Sequence, residues 1–329
     1  MSPSNPAVAS PSHRGGRTLL WLGFAAFLAV ALFVGLDSIG SDYAYLAAYT
    51  VLQYVVIATA WNILGGYAGY VNFGSAGFFA IGVYSSVFIH TLSPLPIPVL
   101  VVVAALMGGL AGFAMGYLTL RLRGVFFSIG TLALAVVLHT FVVNWEFVGG
   151  ARGAYILRPE SVPLFGSYAR YLCMLMFALA VGAVAIARTV ERSWLGRGLA
   201  AIRDDEIAAE CSGVASLKLK LMATTISGAL LAVAGAPFPY FITYVDPNTA
   251  FNLTIAVNAI AMPLIGGTGT WLGPVIGALL LGTIQQFATV TISSAANLMI
   301  VGVLLVVFTS IAPFGIMGVV TKLRRRRRR

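Results

Sequence analysis

The chain is poor in charge and nearly devoid of sulfur chemistry. Only 9% of its 329 residues are charged, against roughly a quarter in soluble domains, which excludes an ordinary water-soluble globule. There are 2 cysteines. Cys173 falls in an apolar run and Cys211 in a polar stretch, so neither makes a disulfide or metal case. The lysines are Lys218, Lys220 and Lys322, and none follows a glycine. A phosphate-cradling GxxxxGK[ST] loop is therefore absent, and this chain is not itself an ATPase. No ionisable side chain sits at the middle of an apolar run. His90 and His139 lie close to run ends, where solvation or a hydrogen bond accounts for them, and this disfavours a proton-driven carrier. No GxSxG, metal-ligand cluster or catalytic carboxylate pair is present, so the reading is of a non-enzyme.

What the chain does have is long apolar runs. Hydrophobic residues make up 59% of it, and the mean hydropathy is +0.94. A bilayer core of about 30 Å needs roughly 20 apolar residues per helical span. Ten such runs are expected, over 18–36, 43–64, 72–91, 95–119, 125–145, 168–188, 217–243, 249–265, 271–291 and 295–319. The predicted fold class is all-α, a polytopic transmembrane bundle of eight to ten spans. The run 249–265 is short and interrupted by Asn252, Asn258 and Pro263, which predicts a broken or re-entrant segment.

Lys and Arg collect in short cytoplasmic loops. With the N-terminus inside, all of the 20 Lys and Arg except Arg152, Arg158 and Arg170 fall inside. Both termini are then cytoplasmic. Residues 1–17, rich in Ser, Pro and Gly, are expected to be a disordered cytoplasmic tail, with the transmembrane domain over 18–320 and a basic tail over 321–329. The net charge of +10 comes largely from Arg324 to Arg329. Just after a span, that run suits anionic lipid headgroups better than nucleic acid.

One stretch, RDDEIAAECSGV (203–214), is polar between apolar neighbours. Asp204 is a suitable N-cap, Asp205 and Glu206 place negative charge in a first turn, and Gly213 suits a left-handed residue after the last. A two-turn cytoplasmic helix is expected over 205–211, within a loop spanning 189–216. Its Ala208 and Ala209 are small enough to admit a close partner surface. Trp194, Leu199 and Ile202 are expected to seat the preceding segment at the membrane interface.

The order of residues adds to this. AIRDDEIAAECSGV resembles the cytoplasmic coupling loop of LivM-type permeases, the membrane subunits of branched-chain amino-acid ABC importers. Three more segments resemble the same family: NILGGYAGYVNFGSAGFFAIGVYSS (62–86), LRLRGVFFSIGTLALAVVL (120–138) and LIGGTGTWLGPVIGALLLG (264–282). The resemblance implies ATP-driven inward transport of a branched-chain or other small amino acid, or a related solute, delivered by a periplasmic solute-binding protein, in a bacterial inner membrane. It implies a homologous, LivH-like second permease and two ATP-binding subunits, which hold the ATP and Mg, leaving this chain without a cofactor. It also implies that Asp204, Asp205, Glu206, Ala208, Ala209 and Gly213 form the helix that docks on the ATPase. The spacing E-x-A-A-x-x-x-G differs slightly from the general EAA pattern and lacks its trailing proline.

Polar residues inside spans are candidates for the solute path: Gln53, Asn62, Asn72, Ser75, Thr131, Asn144, Thr225, Ser227, Asn258, Gln285 and Gln286. Among them Asn62, Asn72, Ser75 and Asn258 are selected, with Asn72 and Ser75 foremost because they lie among glycines where backbone groups are exposed. Such side chains also glue helices together, and the glycine sets at 65–82 and 266–277 also serve close helix contact. Two alternatives stand beside the amino-acid importer: a urea or short-amide permease subunit, and a self-sufficient sodium-coupled carrier or channel, which would have no need of the inner helix.

Overall fold

The computed structural model describes residues 34–37, 41–119, 122, 124–157, 161–162, 166–291, 299, 302–303, 306 and 315–318. The expected spans at 18–36 and 295–319 and both tails lie wholly or largely outside these residues. Eight helical segments among the described residues are long and apolar enough to cross a membrane. Each falls on one of the runs read from the sequence.

The order is α1 (Asp42–Gly65), α2 (Ser75–Leu92), α3 (Ile97–Thr119), α4 (Val125–Val143), α5 (Tyr168–Arg192), α6 (Trp194–Asp204), α7 (Glu206–Cys211), α8 (Ser216–Gly235), α9 (Phe238–Ile242), α10 (Pro247–Ala250), α11 (Leu253–Gly266) and α12 (Leu272–Thr291). Two small antiparallel ladders tie the loops at one end. Ala154–Tyr155 pairs with Tyr244–Val245, and Ser161–Val162 with Gly166–Ser167.

α1 is the central post, packing against α5, α8, α11 and α12. From Val55 to Leu64 every residue of α1 is buried, as expected of a helix that is apolar on all sides and surrounded by others. α3 and α4 stand at the margin. α3 packs along α8, where Gly108 and Gly112 face the backbone of Gly228 and Thr224. The outward faces of both carry exposed side chains such as Leu106, Leu110, Val137 and Phe141, which suit a lipid surface.

The run at 249–265 is interrupted, as its composition predicts. α10 and α11 are separated at Phe251–Asn252, where the Asn252 side chain accepts from Thr254 N at 2.8 Å and caps α11. Pro263 does not end that helix. The chain continues to Gly266, and Gly267 N donates to Pro263 O at 2.7 Å.

The polar loop holds two helices rather than one. α6 was not expected as a helix, and its Leu195, Leu199 and Ile202 pack into the protein, while Trp194 remains exposed. Leu199 and Ile202 therefore face the protein interior rather than lipid. Their spacing of i, i+4 and i+7 forms a stripe that holds α6 against the bundle.

Candidate functional site

α7 is short, and its two ends are fixed by local hydrogen bonds. The backbone turns extended at Asp205, whose carboxylate accepts from Ile207 N at 2.9 Å and Ala208 N at 3.0 Å. The N-cap is thus Asp205, not Asp204. Asp204 is the last residue of α6, mostly exposed and 3.7 Å from its neighbour Arg203, a pairing that contributes little. At the other end Gly213 takes φ +85. Gly213 N donates to Glu210 O at 2.9 Å and Val214 N to Ala209 O at 3.0 Å. These two bonds form a Schellman cap, which requires the left-handed residue that only glycine adopts at little cost.

The faces of α7 differ. Ala209 is 5% exposed and turned into the protein, whereas Ile207 is 62% exposed. Ala208, Glu210 and Cys211 share the open face. Of the two alanines expected to meet a partner, only Ala208 is free to do so. An aliphatic residue left open on a capped two-turn helix is the more informative feature of that face.

Below α7 lies a polar cluster. Lys220, on α8, is 2% exposed. Its Nζ lies 2.6 Å from Glu206 Oε1 and 3.1 Å from the Tyr70 hydroxyl, and that hydroxyl donates to Glu206 Oε2. Arg203 Nη1 donates to Gly66 O at 3.1 Å. Nearby, Glu191 Oε2 accepts from Trp271 N at 2.6 Å and from the Tyr67 hydroxyl at 3.4 Å. Burial, and then the Glu191 carboxylate, push the Tyr67 pKa up, so the phenol stays protonated and remains a donor. The two glycine-rich loops, 66–74 and 267–271, meet here. A Cβ on Gly66 would lie 2.6 Å from Thr268 O, closer than two unbonded atoms pack.

None of the cluster's links was read from the sequence. The lysine carried a signal. Ser216, Lys220, Ala223, Thr224 and Ser227 fall on one helical face of α8, and all are buried, while Lys218, off that face, is exposed. Helical spacing alone would have turned Lys220 inward.

The four residues selected for a solute path are not gathered in one place. Asn62 is at the loop junction, its Nδ2 3.5 Å from Thr270 O. Asn72 Oδ1 accepts from Gly74 N at 2.8 Å and its carbonyl accepts from Trp61 Nε1 at 2.9 Å, so it fixes the start of α2. Asn258 Oδ1 accepts from Gln285 Nε2 at 3.0 Å, joining α11 to α12. Ser75 is fully buried, and its Oγ has no hydrogen-bond partner among the described residues. Phe73 and Ala76, beside Asn72 and Ser75, line a cleft of about 280 Å³ with Leu132, Val136, His139, Phe251 and Leu253. A second cleft of about 380 Å³ lies between Tyr70, Gly124, Ser128, Arg203 and Glu206.

The chain is similar in sequence to known transport proteins. Residues 42–309 match the family described as branched-chain amino acid transport system / permease component. The chain is 28% identical over 253 residues to the high-affinity branched-chain amino acid transport system permease protein LivM of Escherichia coli, covering 69% of this chain and 59% of that protein. The LivM of Salmonella typhimurium is also 28% identical, over 256 residues, with the same coverage. The autoinducer 2 import system permease protein LsrC of an Enterobacter species is 31% identical over 198 residues, covering 57% of this chain and 55% of that protein. The chain thus spans less than two thirds of the length of these relatives. With eight helical segments among the described residues long and apolar enough to cross a membrane, it is a multi-pass membrane protein, and it belongs to the family of permease components of branched-chain amino acid transport systems.

Proposed function

We propose that this chain is the membrane permease subunit of an ATP-driven importer in a bacterial inner membrane, and that it passes branched-chain or other small amino acids inward. A periplasmic binding protein delivers the solute. A homologous, LivH-like permease completes the membrane portion, and two partner subunits bind ATP and Mg. The observation that carries this reading is α7: a two-turn helix capped at both ends, held to the bundle by Ala209 and Glu206, with Ile207 and Ala208 left open. A self-sufficient carrier has no use for that surface. The cleft between α2, α4 and α11 is the proposed solute face. Asn72 and Ser75 are next in the chain to its lining residues Phe73 and Ala76, while Asn62 joins α1 to the 267–271 loop and Asn258 joins α11 to α12. The basic run Arg324 to Arg329 is proposed to meet anionic headgroups.

The likeness to an autoinducer 2 import permease supports a second reading of the cargo, a small polar solute that is not an amino acid, beside the urea and short-amide alternative. Solute binding to the partner binding protein separates these cargoes. In vesicles, uptake is expected only with the ATP-binding subunits, the second permease and the binding protein all present. Concentrative uptake by this chain alone under an imposed sodium gradient would overturn the reading.

The orientation carries its own test. Cys211 is exposed, and with α7 on the cytoplasmic side an impermeant thiol reagent added to intact cells is expected to miss it. The same reagent should label it in inverted membranes, and should label an Ala151→Cys variant from outside, Ala151 being exposed in the loop between α4 and α5. Labelling of Cys211 in intact cells would put α7 on the wrong side for an ATPase.

A further inference from the structure

We infer that Glu206 works inside this chain, as a positioning residue that fastens α7 to the 66–74 loop, so that displacement of α7 is carried to the start of α2. This rests on the reading of α7 as the ATPase-docking helix and adds to it the route by which movement leaves that helix. A carboxylate serving as a contact for a partner would face outward, but that of Glu206 is 15% exposed and lies against Lys220 and Tyr70. Tyr70 belongs to the loop, and Lys220 to α8, so one carboxylate joins three elements. Arg203, just before α7, holds the same loop at Gly66 O. The loop in turn is held at its far end: Trp61 of α1 donates to the Asn72 carbonyl, and the Asn72 side chain accepts from Gly74 N, the residue just before α2. α2 carries Ala76, which lines the 280 Å³ cleft with α4 and α11. Glu191 makes a second attachment, tying Tyr67 of this loop to the Trp271 amide of the other. The connection from α7 to the cleft therefore runs from Glu206 to Tyr70, along the loop backbone from Tyr70 to Asn72, and through the Asn72–Gly74 bond to the start of α2.

Removing one member of a buried ion pair leaves an unpaired charge, whereas removing both does not. That asymmetry separates a role in fold from a role in transmission. The test uses the assembled complex with its ATP-binding subunits, and compares Glu206→Gln, Lys220→Met, Tyr70→Phe and the double variant Glu206→Gln/Lys220→Met. Subunit recovery, thermal midpoint, ATP hydrolysis and uptake are measured for each. The single charge variants are expected to lower the midpoint and to cut uptake at least tenfold. The double variant is expected to recover the midpoint and keep hydrolysis and subunit recovery within twofold of wild type, yet remain at least tenfold down in uptake. Tyr70→Phe, which removes no charge, is expected to lower uptake per ATP hydrolysed severalfold. Uptake that returns with stability in the double variant would show that the pair only holds the fold. Loss of the ATP-binding subunits in Glu206→Gln with the midpoint unchanged would show that the carboxylate contacts the partner, which also overturns the inference. Failure of the docking reading itself is recognised separately, by full uptake in Ile207→Glu from the same preparation.

Discussion

Replacing Ile207 with Glu is expected to abolish ATP-driven uptake and to strip the ATP-binding subunits from the purified complex, while the chain itself inserts and melts as before. Ile207 is 62% exposed on α7, so the substitution removes little of the chain's own packing, and exposed changes of this kind shift stability by about 0.5 kcal/mol or less. In an interface the balance differs. Full burial of an isoleucine stabilises by about 1.5–3 kcal/mol, and an unpaired carboxylate in the same place adds a desolvation cost. With a tenfold change in affinity for each 1.4 kcal/mol, association is expected to weaken about a hundredfold. Ala208→Trp on the same open face is expected to act in the same direction by overfilling the contact. Ala209→Trp is the contrast. Ala209 is 5% exposed and faces inward, so the indole would overpack the chain's own core, at a cost of about 1–3 kcal/mol, and the defect should show as lower yield and thermal midpoint. Normal subunit recovery and uptake in Ile207→Glu would reduce α7 to a connector.

That contrast marks what the sequence made legible. The short polar helix was visible because Asp, Ala and Gly stand out in an apolar chain, and its glycine end was placed by conformational preference alone. Its start was shifted by one residue because two adjacent aspartates are equally good caps. The choice between them fell to α6, which extends through Asp204. α6 itself was missed because Gly196 and Gly198 interrupt its pattern, and glycine disfavours a helix interior. Gly196 is there for contact: a Cβ on it would lie 2.8 Å from Glu191 Cα.

The apolar crossings were the easiest feature to read, because a bilayer sets their length and hydropathy directly. Which faces of them are buried was not legible, since lipid and protein interior ask for the same side chains. Of α1 and α3, α3 is the more hydropathic, yet its outward face is exposed, whereas α1, which carries Gln53 and Asn62, is enclosed from Val55 to Leu64. The polar cluster around Glu206 was hidden for a different reason. Its members come from residues 70, 206 and 220, and only the packing of α8 beside the two loops brings them together. The polar residues picked for a solute path were chosen by type, and type does not separate a lining residue from one that bonds a neighbouring helix. Asn72 and Asn258 are engaged with Gly74 and Gln285, whereas Ser75 has no such partner among the described residues.

A large loss of stability is expected from a single methyl group at Gly277. α11 and α12 cross where Gly277 lies against the backbone of Met262. A Cβ there would overlap the Met262 carbonyl oxygen and stand 2.8 Å from its carbon and 3.0 Å from Gly266 N. These are backbone atoms of a helix, so the clash is relieved only by moving the two helices apart. Overpacking of a rigid site costs about 1–3 kcal/mol, occasionally more, and here it also displaces the 267–271 loop that meets Asn62, Gly66 and Glu191. Gly277→Ala is expected to lower the thermal midpoint in detergent sharply, to reduce folded yield, and to abolish uptake. Two other glycines calibrate the result. At Gly282 a Cβ would meet the side chains of Tyr54 and Val51 at 3.3 and 3.5 Å, which can adjust, so Gly282→Ala should be mild. At Gly182, inside α5, nothing lies within 4 Å, and Gly182→Ala should stabilise by about 0.5–1 kcal/mol through the lower entropy of the unfolded chain. An order of midpoints running from Gly182→Ala down through wild type and Gly282→Ala to Gly277→Ala is the expected outcome. A Gly277→Ala protein that melts and transports like wild type would mean that α11 and α12 do not approach as closely as this packing requires, and the junction of the two glycine-rich loops would lose its support.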